Sequence, residues 1–181
     1  PAVREATEAV AVLHDLTPRA QDWIASFGER LSSVLVAAAI EQHGVPARAV
    51  NADDFVVTDG VFGNASPLMD ESRRRAHNVL TPLITEGCIP VVTGFFGADH
   101  AGVVTTLGRG GSDYSATTIG ALLDASEVVI WTDVDGVLSA DPRLVPEART
   151  LPAISFAEAT ELAYFGAKVI HPRTVQPAIE Q

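Results

Sequence analysis

The constraint that most narrows the fold of this 181-residue chain is its alternation of short apolar runs with helical text of ten residues or more. Helical spacing covers Val3 to Leu16 and, after Thr17-Pro18, about Arg19 to Gln42, where Trp23, Ile24, Phe27, Leu31, Val34, Leu35 and Ala38 recur. Gly44 stops that helix. Short strand text follows at Arg48–Asn51 and Phe55–Thr58, then a glycine-bearing loop from Gly60 to Pro67. A helix over Asp70–Glu86 ends at Gly87. Buried-type strands are predicted at Ile89–Thr93, Val103–Thr106 and Glu127–Thr132, with helices at Ser112–Asp124 and Ser155–Tyr164. The run from Gly166 onward reads as loop plus a helical start. Strands separated by helices of this length give an α/β protein with a mainly parallel sheet. Length favours one domain over residues 1–181.

Charge then excludes whole classes of partner. With 23 acids against 12 bases the formal charge is −11, which argues against nucleic acid or an anionic membrane surface. No uninterrupted apolar run approaches the ~20 residues of a membrane helix. A single cysteine, Cys88, offers neither an internal disulfide nor a Cys-built zinc site, and fits a reducing cytoplasm. The chain starts at Pro1 and stops inside helical text, so an excised piece is expected. Eleven of the twelve bases are arginine, and the lone lysine is Lys168.

Four segments carry candidate chemistry. In Thr105-Thr106-Leu107-Gly108-Arg109-Gly110-Gly111-Ser112-Asp113, glycines let backbone approach a ligand at a helix start, and Arg109 offers a fork for carboxylate or phosphate. The spacing fits neither a Walker loop nor G-x-G-x-x-G. Read as a plain turn, the same residues make Ser112 an N-cap and Asp113 a complement to the helix dipole. Val128-Val129-Ile130-Trp131-Thr132-Asp133-Val134-Asp135-Gly136 puts polar groups past an apolar strand, where α/β folds bind ligands. It is similar to the first motif of haloacid-dehalogenase-type phosphatases, with Asp133 as nucleophile and Asp135 as general acid, although no acidic pair follows. Phe165–Pro172 contains Lys168, a compact charge suited to phosphate. In the long helix, Glu29, Ser32, Ser33 and Val36 share one face, as a pocket wall or as a solvated surface.

Together these segments resemble the aspartokinases, within the amino acid kinases. The matching words are Ser26-Phe27-Gly28-Glu29-Arg30-Leu31-Ser32, Thr106–Ala116, Trp131–Val137, Ala140-Asp141-Pro142-Arg143 and Glu161–Thr174, in that order. The resemblance implies a three-layer α/β/α sandwich. It also implies transfer of the ATP γ-phosphoryl group to the side-chain carboxylate of L-aspartate, the entry to lysine, threonine and methionine synthesis. By the same resemblance Arg109 clamps the substrate α-carboxylate and Glu29 holds its amino group. Gly110, Gly111 and Ser112 shape that pocket, and Asp113 orients groups around the transferring phosphoryl. Thr132, Asp133, Leu138 and Arg143 meet the nucleotide, although some members carry tyrosine where Leu138 stands. Lys168 and Val169 complete the ATP site, and Mg²⁺ arrives on the ATP. The partners are then L-aspartate and ATP, with a homo-oligomer expected of the full-length protein.

One departure stands against this pattern. The family's opening Lys-Phe-Gly-Gly-Thr-Ser word is absent, as are the ACT domains, so the isolated piece is expected to have little or no kinase activity. Kinases acting on glutamate or acetylglutamate, the phosphatase reading and a non-catalytic binding module remain the alternatives.

Overall fold

A computed structural model describes residues 2–132, 136–140, 143–164 and 172–179. Helix α1 covers Ala2–Leu13 and α2 covers Pro18–Gln42. Strand β1 (Ala47–Val50) leads through a single 3₁₀ turn, Ala52–Asp54, towards α3 (Met69–Thr85). Strands β2 (Ile89–Val92), β3 (Phe96–Ala98) and β4 (Val104–Thr106) precede α4 (Gly111–Leu122), α5 (Phe156–Tyr164) and α6 (Pro172–Ile179).

The start of α2 follows from its sequence. Thr17 accepts the Ala20 N–H at 3.2 Å, and Pro18 occupies the first turn, where no amide donor is needed. The face that α2 turns inward differs from the apolar stripe of the sequence. Asp22, Ser26, Ser33 and Ala37 are buried, whereas Leu31, Val34 and Leu35 are exposed. Small side chains let this helix lie close along β1, β2 and β4, and closeness decides the orientation over hydrophobicity. Among the described helices α2 alone is long and apolar enough to cross a membrane by length and composition. Here it is laid on the strands through a face carrying a buried aspartate.

Strands β1 and β2 form a parallel ladder from Ala47↔Ile89 to Val50↔Val92. Strands β3 and β4 are antiparallel, from Phe96↔Thr106 to Ala98↔Val104. The Phe55–Thr58 text makes no strand of its own, but Val57 bridges to Ala98 and Thr58 to Pro67. The main core gathers Val50, Phe55, Val56, Ala76, Leu80, Leu83 and Leu122, so α3 and α4 close over the β1 end and the 3₁₀ turn.

A second expected strand does not form either. Residues 127–132 have no ladder partner among the described residues, with Val129 59% and Trp131 93% exposed. An apolar run becomes a strand when a neighbouring edge takes its amides, and none of the described strands pairs with it.

Candidate substrate pocket at the start of α4

The glycine-rich turn is held on a bed of buried polar groups. Asp22, 3% exposed, accepts the Thr106 N–H and the Gly63 N–H on Oδ2, and the Thr106 hydroxyl on Oδ1, all at 2.8 Å. The Thr58 and Thr105 hydroxyls share a 2.7 Å hydrogen bond one residue earlier. Ala65 N–H donates to the Thr106 carbonyl at 2.9 Å, which joins the 60–67 loop to the exit of β4. Gly108 has φ +79°, and a Cβ there would stand 2.8 Å from the Gly63 carbonyl oxygen. A side chain at 108 is excluded both by the left-handed backbone and by this contact.

A second backbone constraint comes from Phe95, a non-glycine residue with φ +73°. Such a conformation persists only where its surroundings over-determine it. Phe95 N–H donates to Ser115 Oγ at 2.8 Å, and Leu107 N–H donates to the Phe95 carbonyl at 2.8 Å. Ser115 in turn donates to the Gly111 carbonyl at 2.8 Å. Gly111 packs against Phe95, whose Cδ2 would lie 2.8 Å from any added Cβ. The segment after β2, the glycine turn and the first turn of α4 are therefore one unit.

The resulting surface can receive an anion. Gly110, not Ser112, is the N-cap of α4, with φ +71° and no side-chain capping hydrogen bond. The first-turn amides of α4 thus keep the partial positive charge of a helix N-terminus. Arg109 is exposed beside them, Ser112 is exposed, and Asp113 is half-buried in the first turn. Gly94 brings the exit of β2 against Ser112, whose Cα would lie 3.4 Å from a Cβ at 94. Arg109, Gly110, Gly111, Ser112 and Asp113 are in this way brought together on one turn. Glu29 is half-buried two helical turns beyond Asp22, on the strip of α2 that also carries Ser26 and Ser33.

Only part of the other half of the expected site lies among the described residues. Thr132 and Arg143 are exposed. Leu138 bridges to Thr150, supported by Leu151 N–H to the Val137 carbonyl at 2.8 Å and Ser139 N–H to the Arg149 carbonyl at 2.9 Å. Asp133, Lys168 and Val169 lie outside the described residues, as does Asp135 of the phosphatase reading. Among the described residues no group of three His, Cys, Asp or Glu side chains could hold a metal. Sequence reasoning passed over Asp22, Phe95, Ser115 and Arg173. An aspartate near a helix start reads as a surface residue, and a phenylalanine carries no sign of a positive φ.

The model of the amino acid kinase family matches residues 2–181. The chain belongs to the amino acid kinase family. Within it, the chain is 43% identical over 176 residues to "Aspartokinase 1, chloroplastic" of Arabidopsis thaliana, covering 96% of this chain and 31% of that one. It is 40% identical over 163 residues to "Lysine-sensitive aspartokinase 3" of Escherichia coli, covering 90% and 36%. Its fold superposes on the crystal structure of E. coli aspartokinase III in complex with aspartate and ADP (R-state) with a TM-score of 0.92 and 38% identity, over 99% of this chain and 39% of that one. The α/β fold expected of this kinase family is therefore the one observed. The chain spans about a third of the length of these relatives.

Proposed function

We propose that a full-length protein carrying these residues transfers the γ-phosphoryl group of ATP to the side-chain carboxylate of L-aspartate, giving 4-phospho-L-aspartate. The observation that carries this reading is the α4 N-terminus, free of any side-chain cap, with exposed Arg109 beside it. That pairing suits a carboxylate better than a neutral ligand. The sequence similarity to aspartokinases supports aspartate as the carboxylate.

In this reading Arg109 takes the α-carboxylate of aspartate and Glu29 its ammonium group. Gly110, Gly111 and Ser112 leave room for the substrate backbone, and Asp113 orients the groups around the transferring phosphoryl. A substrate carboxylate oxygen forms the new bond to Pγ as the bond to the ADP oxygen breaks. No side-chain nucleophile is needed, so positioning and charge neutralisation do the work. Thr132, Asp133, Leu138 and Arg143 meet the nucleotide, with Lys168 and Val169 at its phosphates. Mg²⁺ carried by the ATP would supply further charge neutralisation. A cytoplasmic location and a homo-oligomeric parent belong to the same proposal.

Trapping the product with hydroxylamine tests it. The full-length protein should form aspartyl hydroxamate in the presence of ATP and Mg²⁺. Product from glutamate or acetylglutamate but not aspartate would contradict it, as would hydrolysis of p-nitrophenyl phosphate without kinase activity.

A further inference from the structure

Arg173 stands at the start of α6, five residues beyond Lys168, yet its side chain reaches back to the loops under the glycine turn. Its Nη1 donates to Asn64 Oδ1 at 2.5 Å and to the Leu107 carbonyl at 3.1 Å. Its Nη2 donates to the Ala65 carbonyl at 2.8 Å and to Ser66 Oγ at 3.2 Å. The guanidinium also lies 4.8 Å from the centre of the Tyr114 ring, on α4. One planar fork thus touches the 60–67 loop, the residue two before Arg109, and the first turn of α4. Asp22 grips the same two loops through Gly63 and Thr106. These four acceptors are two backbone carbonyls and two neutral side chains. What the fork does is hold Leu107 and the loop beside it at one spacing.

We propose that Arg173 is a positioning residue for the carboxylate clamp: by holding the Leu107 carbonyl and the 64–66 loop it sets where Gly108 and Arg109 present themselves. It rests on the aspartokinase reading and adds a residue to it. The chain between Arg173 and Lys168 can extend no further than about 18 Å.

The test uses the full-length protein with Arg173→Gln, Arg173→Lys and, as a milder change that keeps the arginine, Asn64→Ala. Arg173→Gln should raise KM for L-aspartate about tenfold, as expected for loss of charge-assisted hydrogen bonds. KM for ATP should stay within about twofold and kcat should change less than KM. Arg173→Lys should not restore aspartate affinity, because an ammonium cannot span four acceptors in a plane. Asn64→Ala should move KM for aspartate in the same direction by about twofold. A second readout is independent of activity: tryptic cleavage after Arg109 in the folded protein should accelerate in Arg173→Gln. Equal losses for both substrates, full rescue by lysine, or an unchanged aspartate KM in a folded variant would each overturn the proposal. If the wild type phosphorylates no aspartate while cleavage at Arg109 still accelerates, the loop-holding role stands and the functional reading alone fails.

Discussion

The two halves of the expected site are built in opposite ways. On the aspartate side, the glycine turn rests on buried hydroxyls, the buried Asp22 carboxylate and a strained Phe95. Its contacts join residues as far apart in sequence as Asp22 and Thr106. On the expected nucleotide side, Val129 and Trp131 are exposed, and the hydrogen bonds described over residues 136–140 and 143–158 are local. Ser139 pairs with Arg149, and α5 opens on a capping box in which Glu158 Oε2 accepts from the Ser155 N–H and hydroxyl at 2.7 and 2.8 Å. Those two donors hold the Glu158 carboxyl below its usual range. Long-range buried polar contacts can fix a turn to the accuracy that substrate recognition needs. Local hairpins and caps fix only themselves.

Three substitutions probe that contrast. Asp22→Ala should cost about 3 kcal/mol, because the Gly63 and Thr106 amides and the Thr106 hydroxyl would lose their acceptor in a buried place. Hydrogen exchange at the Gly63 and Thr106 amides should rise with it. Unchanged protection would show that the loops hold without the carboxylate, and the contrast would collapse. Trp131→Ala on the other side should change stability by less than about 0.5 kcal/mol, as for a surface position. A larger loss in chemical denaturation would mean that this side is packed as firmly as the first.

The smallest effect concerns Asp54, the last residue of the 3₁₀ turn. Burial, then the neighbouring Asp53, raises its carboxyl above 3.8, while Arg30 pulls it down. A raised folded-state value favours the protonated form in the fold. Its contribution is therefore present below the unfolded value and is lost as pH rises through the folded one. At neutral pH the charge is unfavourable, so Asp54→Asn should raise Tm by about 1 °C or less. The advantage should vanish below pH 3.8. An advantage that persists in acid would assign the effect to packing.

Much of this architecture is legible in the residues, for reasons that differ by element. Thr17-Pro18 marks the start of α2 because capping is a local chemistry, and the 106–113 text marks its turn because glycine spacing reports backbone approach. The inward face of α2 is not legible. Leu31, Val34 and Leu35 state a hydrophobic stripe, while the approach of the helix to β4 demands Asp22, Ser26 and Ser33 instead. The run at 127–132 reads as a strand because its composition is β-like, but pairing requires an edge that composition cannot announce. The proposed clamp residues Arg109 and Glu29 are legible through family words; Asp22 and Arg173, which tie the loops beside the glycine turn together, depend on contacts 84 and 66 residues away in sequence. No periodicity encodes those.

The central claim is that Arg109, aimed by this turn, receives the substrate carboxylate. Steady-state kinetics of Arg109→Ala in the full-length protein tests it most directly. KM for L-aspartate should rise about 100-fold, the loss of a bidentate charged pair, with KM for ATP within about twofold. An aspartate KM equal to that of the wild type would contradict the account.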